Sequence, residues 1–546
     1  NINKWKNYKE LKSELRLELE MMSEEELNDA FYTTLSFGTG GMRGVIGVGT
    51  NRMNIYTLRR ANYGFGNYLL KKYQEQPAVV IAYDSRHFSR EFAQESAAVL
   101  ASLGLKIYLF QKITPTPVLS FAVRHLKAQG GIVITASHNP PQYNGYKIYD
   151  EDGCQLVPDV VDKVIQEIEC APDAFDIAVK PYEELKQAGA IVDVPAELDD
   201  VYLGLVKGLS VHPELDKHNF RIVFSPLHGT SAYLGEKLLR ETGYQYLTVK
   251  EQMIPDPNFS TVVLPNPEDP KAFTLAIRDA KEVKADLCVA TDPDADRVGI
   301  AVLHNNEYHL LNGNQTGALL IYYLAHEKKI NAPAVIFNTI VSSDLGAQIA
   351  RSKGLEVKST LTGFKYIGEQ AKLLESTNKK FFFGYEESFG YVIGDFVRDK
   401  DSLQALLLCC EMANFYKLQG LTLLDVLEKI YQEYGYYQET LLNVNLAGQA
   451  GALRIGRIME HFRKLNALEG VNIIKKEDYS NGIKGLPAAD VLKFYLDDGS
   501  WFVLRPSGTE PKLKVYVAVV AGSAEKASER VTEIKNNIQN MIEKVG

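Results

Sequence analysis

The chain has 546 residues, 45% of them hydrophobic and 24% charged, and its 60 Lys plus Arg against 69 Asp plus Glu leave a formal charge of -9. This composition excludes a disordered tail, a collagen-like repeat and a disulfide scaffold, and the acidic balance argues against nucleic acid or an anionic membrane surface as the main partner. At roughly 150 residues per domain the length predicts three to four domains, each long enough to bury its own core.

The segment from Trp5 to Met22 is charged, with leucines at helical spacing, and predicts one helix; Ser23-Glu24-Glu25-Glu26 reads as a capping box that opens a second. Beyond Gly38, short apolar runs alternate with amphipathic ones: strand Ala78 to Tyr83, helix Arg90 to Leu103, strand Leu105 to Phe110, helix Pro117 to Leu126, strand Gly131 to Thr135. That rhythm predicts α/β layers with mostly parallel strands. A second unit starts near Asp199 and runs through the strand Arg221 to Phe224 and a further αβ series ending near His304. The third repeats the pattern from about Asn312, with helices Gln315 to His326 and Ser343 to Ser352 and strands Ala334 to Asn338 and Lys380 to Gly384. The last hundred residues differ: a helix at Leu453 to Leu465, strands near Val491 to Leu496, Trp501 to Leu504 and Lys514 to Val520, and a terminal helix Ala524 to Lys544 predict a smaller α+β domain. The expected domains are 1–198, 199–308, 309–436 and 437–546.

Cys154, Cys170, Cys288, Cys409 and Cys410 contain no C-x-x-C pair, so neither a disulfide framework nor a thiolate zinc site is indicated, and a reducing cytoplasm is expected. Apolar stretches such as Ala318 to Ala325 fall short of the ~18 residues of a spanning helix, and the charged N-terminus lacks a signal-peptide core. The sequence starts at Asn1 without an initiator Met, so a few preceding residues are expected.

Strand-to-helix loops normally carry ligands in such architectures, which directs attention to residues just after predicted strands. Thr135-Ala136-Ser137-His138-Asn139-Pro140 offers a serine nucleophile with His138 and Lys147 near it, and equally an ordinary turn. Asp292-Pro293-Asp294-Ala295-Asp296-Arg297 sets three carboxylates at every second position, which would repel one another unless a cation such as Mg²⁺ or Ca²⁺ sits among them. It is no EF-hand, because Arg297 and Leu303 stand where the glycine and glutamate belong. Gly384-Tyr385-Glu386-Glu387-Ser388-Phe389-Gly390 presents acceptors suited to sugar hydroxyls, or a plain turn. Arg505-Pro506-Ser507-Gly508-Thr509-Glu510-Pro511 matches the oxygens of a phosphate monoester. Phe37-Gly38-Thr39-Gly40-Gly41-Met42-Arg43-Gly44 fits neither nucleotide fingerprint and reads as a turn delivering Arg43 to an anion. His228 follows a strand and reads either as a cleft residue or as a structural turn histidine.

Taken in order, Thr135 to Pro140, Asp292 to Arg297, Glu386 to Ser388 and Arg505 to Pro511 resemble the four loops of the α-D-phosphohexomutase superfamily, and the resemblance covers nearly the whole chain. It implies a heart-shaped enzyme of three similar α/β domains and a C-terminal α+β domain with a TATA-binding-protein-like fold. By that similarity Ser137 is the phosphorylated serine; Asp292, Asp294 and Asp296, with a phosphoserine oxygen, hold Mg²⁺; and Arg43, His138, Lys147 and Arg297 surround the phosphoryl group. Glu386 and Ser388 match the sugar loop, Thr362 and Lys400 match substrate contacts, and Arg505, Ser507, Gly508 and Thr509 match the site for the phosphate that does not react. Gly390 stands where the mannose/glucose branch has histidine, and Tyr385 replaces a usual glycine. Together with the Arg43 and Thr362 segments these features resemble a subfamily of bacterial phosphoglucomutases, phosphopentomutases and sugar-bisphosphate synthases. The resemblance implies interconversion of glucose 1-phosphate and glucose 6-phosphate through glucose 1,6-bisphosphate, by a monomer or homodimer acting on small sugar phosphates. Pentose or mannose phosphates are the alternative substrates. Lys147, His138 and Lys400 stay open as proton handlers. The readings outside the class are a non-catalytic phosphosugar-binding protein and a metal-dependent phosphatase.

Overall fold

The computed structural model describes residues 2–38, 41–446, 448–468, 472–507 and 512–545. The chain divides into two units, one of residues 1–316, 330–335 and 364–422 and the other of residues 317–329, 336–363 and 423–546.

In the first unit β1 (Gly41–Val45), β2 (Ala78–Tyr83), β3 (Lys106–Leu109), β4 (Gly130–Ile134), β5 (Tyr143–Tyr149) and β6 (Ile191–Asp193) form a six-stranded sheet in the order β1-β5-β4-β2-β3-β6. The unbroken apolar run of β2 is what a strand buried on both faces requires, and β2 packs against helices Ser89–Ser102 and Thr116–His125. A second sheet contains β7 (Arg221–Ser225), β8 (Gln245–Thr248), β9 (Leu287–Thr291), β10 (Val298–His304) and β11 (Glu307–Leu310), in the order β11-β10-β9-β7-β8.

The expectation of mostly parallel strands holds only for part of each sheet. β2, β3, β4 and β6 pair parallel, as do β7, β8 and β9, but β5 runs antiparallel to β4 and β10 antiparallel to β9. The cause is loop length: residues 135–142 and 292–297 are too few for the dozen or so a parallel crossover needs.

The expected helix Trp5 to Met22 is two helices, Ile2–Asn7 and Ser13–Met21. Tertiary contacts override the periodicity between them. The Tyr8 ring stacks on Phe175 with centroids 4.0 Å apart, Leu11 enters the core, and Arg16 Nη2 donates to Tyr8 O at 2.6 Å. The capping box forms as expected, Ser23 N–H donating to Glu26 Oε2 at 2.8 Å, a feature worth about 1 kcal/mol.

Next come β12 (Ala334–Thr339), β13 (Glu356–Thr360), β14 (Lys380–Glu386) and β15 (Gly390–Val392); β14 and β15 form an antiparallel hairpin in the first unit. In the second unit β16 (Tyr436–Asn445), β17 (Ile473–Asp478), β18 (Leu492–Leu496), β19 (Trp501–Pro506) and β20 (Lys512–Ala521) make an antiparallel sheet in the order β16-β20-β19-β18-β17. Helix Ala524–Lys544 covers it with Ala527, Val531, Ile534, Ile538 and Ile542, whose spacing of three or four residues makes one apolar stripe. Among the described residues no helix is long and apolar enough to cross a membrane.

Candidate active site

All four loops follow strands as expected, but each leads to another strand, as the sequence already places the aspartate loop between Leu287 to Ala290 and Val298 to Leu303. Residues 135–142 join β4 to β5, 292–297 join β9 to β10, 387–389 join β14 to β15, and 507–511 join β19 to β20, each an antiparallel pair. The first two still leave the carboxyl ends of parallel-paired strands, where α/β sheets bind ligands.

Ser137 sits at φ 51°, a left-handed backbone that a non-glycine residue adopts only when its surroundings impose it. Its N–H donates to Thr135 Oγ1 at 2.8 Å, and its buried Oγ donates to Asp292 Oδ2 at 2.7 Å. His138 Nδ1 lies 3.2 Å from that Oγ. The four carbonyls of Ser137, Asn139, Pro140 and Tyr143 all accept from Arg86.

Asp292, Asp294 and Asp296 are buried, and an oxygen from each lies within 4.8 Å of the others. At an effective dielectric constant near 20, two carboxylates about 5 Å apart repel by ~3 kcal/mol. Three such pairs would cancel most of a domain's ~5–15 kcal/mol of stability unless cations offset them. Lysines do part of this: Lys147 Nζ lies 2.9 Å from Asp294 Oδ2 and 3.4 Å from Asp296 Oδ2, and Lys400 Nζ is 3.1 Å from Asp296 Oδ2. Three helix starts brace the backbone. Thr116 N–H donates to Asp294 O at 2.8 Å, Thr230 N–H to Pro293 O at 2.8 Å, and Ser402 Oγ to Ala295 O at 2.6 Å. Asp294 Oδ1 and Asp296 Oδ1 are buried and accept no hydrogen bond from the described residues. Orphaned, closely spaced carboxylate oxygens are the donor set of a hard divalent cation, so these residues fit Mg²⁺.

The electrostatics follow from this crowding. Burial pushes the Asp292 carboxyl well above the usual range, and Asp294 and Asp296 push the same way. Burial also opposes ionisation of Asp294, but Lys147 outweighs it and holds that group below the ordinary value. Lys147 and Lys400 lose solvation on burial, yet the aspartates beside them hold both above the usual lysine value. Burial lowers His138 well below an ordinary imidazole, with Arg297 and Arg43 adding to the effect, so it is neutral near pH 7. Arg297 pairs with Glu268, and Arg43, the exposed residue of β1, donates to Asn139 Oδ1 at 3.0 Å.

The sugar-type loop is tied to this cluster. Val298 N–H donates to Phe389 O at 3.1 Å, and Arg297 bridges Gly390 through the main chain. Glu386 is buried, and its charge helps hold Arg297 and Lys400 protonated; Ser388 is half-buried. Gly390 has no side chain because the Lys400 stem fills that space: a Cβ there would lie 2.1 Å from Lys400 Cδ.

The first unit therefore gathers Arg43, Ser137, His138, Lys147, Asp292, Asp294, Asp296, Arg297, Glu386, Ser388 and Lys400. Thr362, half-buried after β13, and Arg505 and Ser507, half-buried at the end of β19, belong to the second unit. Gly508 and Thr509 lie outside the described residues. His228 is the turn histidine, its ring nitrogens 2.8 Å from Ile254 O and from Thr261 Oγ1. Sequence reading missed Arg86, Thr116, Glu268 and Ser402. Asp84-Ser85-Arg86 follows β2 in a true strand-to-helix loop, a signal that could have exposed Arg86.

Family models for the α/β/α domains I, II and III and the C-terminal domain of phosphoglucomutase/phosphomannomutase match residues 34–173, 200–305, 312–434 and 441–536. The chain is 40% identical to phosphoglucomutase of Staphylococcus epidermidis over 512 residues, covering 91% of this chain and 92% of that protein. It is 37% identical to phosphoglucomutase of Staphylococcus aureus over 527 residues, covering 94% of each. Its fold is similar to that of a putative phosphomannomutase from Thermus thermophilus, with TM-score 0.71, 24% identity and coverage of 94% of this chain and 99% of that one. It is similar as well to parafusin, a phosphoglucomutase from Paramecium in its open form, with TM-score 0.72, 18% identity and coverage of 94% and 96%.

Proposed function

The chain belongs to the phosphoglucomutase/phosphomannomutase family, and from that premise we propose that it interconverts glucose 1-phosphate and glucose 6-phosphate through a phosphorylated Ser137 and glucose 1,6-bisphosphate. One observation carries the mechanism: a strained, buried serine hydroxyl points at the edge of a three-aspartate cluster ringed by cations.

Asp292, Asp294 and Asp296 would hold Mg²⁺, whose chemistry there would be to offset charge on the phosphoryl group. Everything else falls to the chain's own side chains. The free sugar hydroxyl attacks the Ser137 phosphoryl, the P–O bond to Ser137 breaks as the P–O bond to the sugar forms, and the hydroxyl proton passes to a base. Phosphoryl transfer depends on alignment and charge stabilisation more than on covalent machinery, which suits Arg43 and Arg297 as charge stabilisers. Neutral His138, beside Oγ, is suited to accept that proton and then pass it to the Ser137 oxygen, and Lys147 and Lys400, held protonated by their aspartates, to the electrostatic part. The bisphosphate then turns and gives its other phosphoryl back to Ser137.

The same reading carries Glu386, Ser388, Lys400 and Thr362 as sugar contacts and Arg505, Ser507, Gly508 and Thr509 as contacts of the unreactive phosphate, on the likeness of their motifs. It keeps the domain limits 1–198, 199–308, 309–436 and 437–546 and a monomer or homodimer. Five free cysteines, four of them buried, suit a reducing cytoplasm.

A coupled assay with Mg²⁺ and a trace of glucose 1,6-bisphosphate tests it on glucose 1-phosphate, mannose 1-phosphate and ribose 1-phosphate, with Ser137→Ala alongside. Glucose turnover abolished in the variant is the expected result. Preference for ribose 1-phosphate moves the substrate to pentose phosphates, release of inorganic phosphate makes the enzyme a phosphatase, and turnover indifferent to Ser137→Ala removes the mechanism.

A further inference from the structure

The rear of the Ser137 loop converges on one side chain. Arg86 is 4% exposed and forks into the loop, Nη1 donating to Pro140 O at 2.8 Å and Tyr143 O at 3.1 Å, and Nη2 to Ser137 O and Asn139 O. Its Nε lies 3.3 Å from buried Asp84 Oδ2, and its guanidinium stands over the Phe259 ring, 4.9 Å from the centroid. Phe259 belongs to the segment 254–261, which His228 pins at Ile254 O and Thr261 Oγ1 and which meets His87 through Asn258 Oδ1 at 2.8 Å. The next residue, Gly229, packs on the aspartate loop: a Cβ there would lie 2.4 Å from Pro293 Cα. The nucleophile loop and the aspartate loop are thus joined from behind through Arg86, Phe259, His228 and Gly229.

We infer that Arg86, backed by Phe259, is a positioning residue that holds Ser137 Oγ at its working distance from the Asp292 carboxylate. A buried cation paired with buried Asp84 costs solvation that an apolar side chain of the same volume would avoid, so space filling does not explain it. Four carbonyls turned inward need donors in fixed directions, and the planar guanidinium supplies them where an ammonium, with three rotatable donors, cannot. Transfer between Ser137 and a sugar hydroxyl is sensitive to this, because a misplacement of about 1 Å costs on the order of 100-fold in rate.

The inference rests on the phosphoserine reading above, and its test separates the two. Full-length Arg86→Lys and Phe259→Leu are compared with the unsubstituted enzyme for kcat, KM and single-turnover labelling of Ser137 by radiolabelled glucose 1,6-bisphosphate, with circular dichroism and thermal unfolding alongside. In Arg86→Lys, kcat and the labelling rate fall together by ~100-fold while KM for glucose 1-phosphate stays within about threefold; Phe259→Leu loses about three- to tenfold. A folded Arg86→Lys enzyme with unchanged kcat and labelling, or one in which only KM rises, overturns the inference. Should Arg86→Lys fail to fold, Phe259→Leu decides, and unchanged kcat and labelling in that folded variant overturn it. Turnover by the unsubstituted enzyme without labelling of Ser137 overturns the phosphoserine reading itself, an outcome no Arg86 variant can imitate.

Discussion

Two buried carboxylate sites in this chain are resolved in opposite ways. Glu477, in the second unit, is a single carboxylate with Lys475 Nζ at 2.7 Å, Lys484 beside it, and the hydroxyls of Tyr479 and Tyr495 at 2.9 and 3.0 Å. Burial opposes its ionisation, but those donors outweigh it and hold it down at about 2. The Asp292, Asp294 and Asp296 cluster crowds three carboxylates around two lysines and leaves two oxygens without a donor among the described residues. Burial by itself does not mark a functional acid. Like charge left uncompensated does, because only a ligand can finish the job.

The widest separation comes from substituting one acid in each site. Asp292→Asn should cut kcat by ~1,000-fold or more, yet leave the metal-free protein's Tm within about 2 °C, since the amide replaces a carboxyl whose ionisation burial already opposes. A coupled assay and a melt in EDTA test both halves, and a fall beyond about 5 °C would break the contrast. Metal itself should sharpen it: at 100 times its Kd, Mg²⁺ stabilises by about 2.7 kcal/mol. That gain should appear as a rise in Tm of the first unit and vanish in Asp294→Asn.

Gly390→Ala tests whether Lys400 is held as the cluster requires. The new Cβ would collide with the Lys400 stem, and kcat/KM should fall ~10- to 100-fold with little change in Tm. Asp401 is an intermediate case, a buried carboxylate that accepts from Tyr202, Leu403 and Gln404 but from no cation among the described residues, and burial raises it to about 6. Its folded value lies above its unfolded value of about 3.8, so its contribution to stability is complete below about pH 3.8 and is lost as pH rises through 6. Asp401→Asn should flatten that slope, by on the order of 3 kcal/mol, in denaturant melts between pH 4 and 7. Glu477→Gln is the smallest effect: kcat within about twofold and ~1–2 kcal/mol of stability lost. The sign at Glu477 is opposite, its stabilisation being present above pH 4.5 and lost as pH falls through about 2.

The residues of the aspartate loop and the Ser137 loop were legible because their chemistry is local. Alternating acids between two apolar runs, and a serine and histidine after another, are visible without knowing what packs against them. Arg86 was not, because its role depends on four carbonyls that lie 51 to 57 positions away along the chain. Gly390 was read as the absence of a histidine, and only packing explains it as room for the Lys400 stem.

The strand runs, the capping box at Ser23 and the terminal helix Ala524–Lys544 followed from periodicity and end signals, since burial of one stripe and satisfaction of terminal N–H groups act within a few residues. Strand direction did not: β5 and β10 run antiparallel because their connections are too short to cross over. The break at Tyr8 to Lys12 likewise needed Phe175, and the bracing of Asp294, Pro293 and Ala295 needed three separate helix starts. The sequence by itself determined which groups could do the chemistry, through side-chain type and local order. Tertiary structure decided their burial, charge state and spacing, because those depend on groups distant in the chain that share one low-dielectric volume.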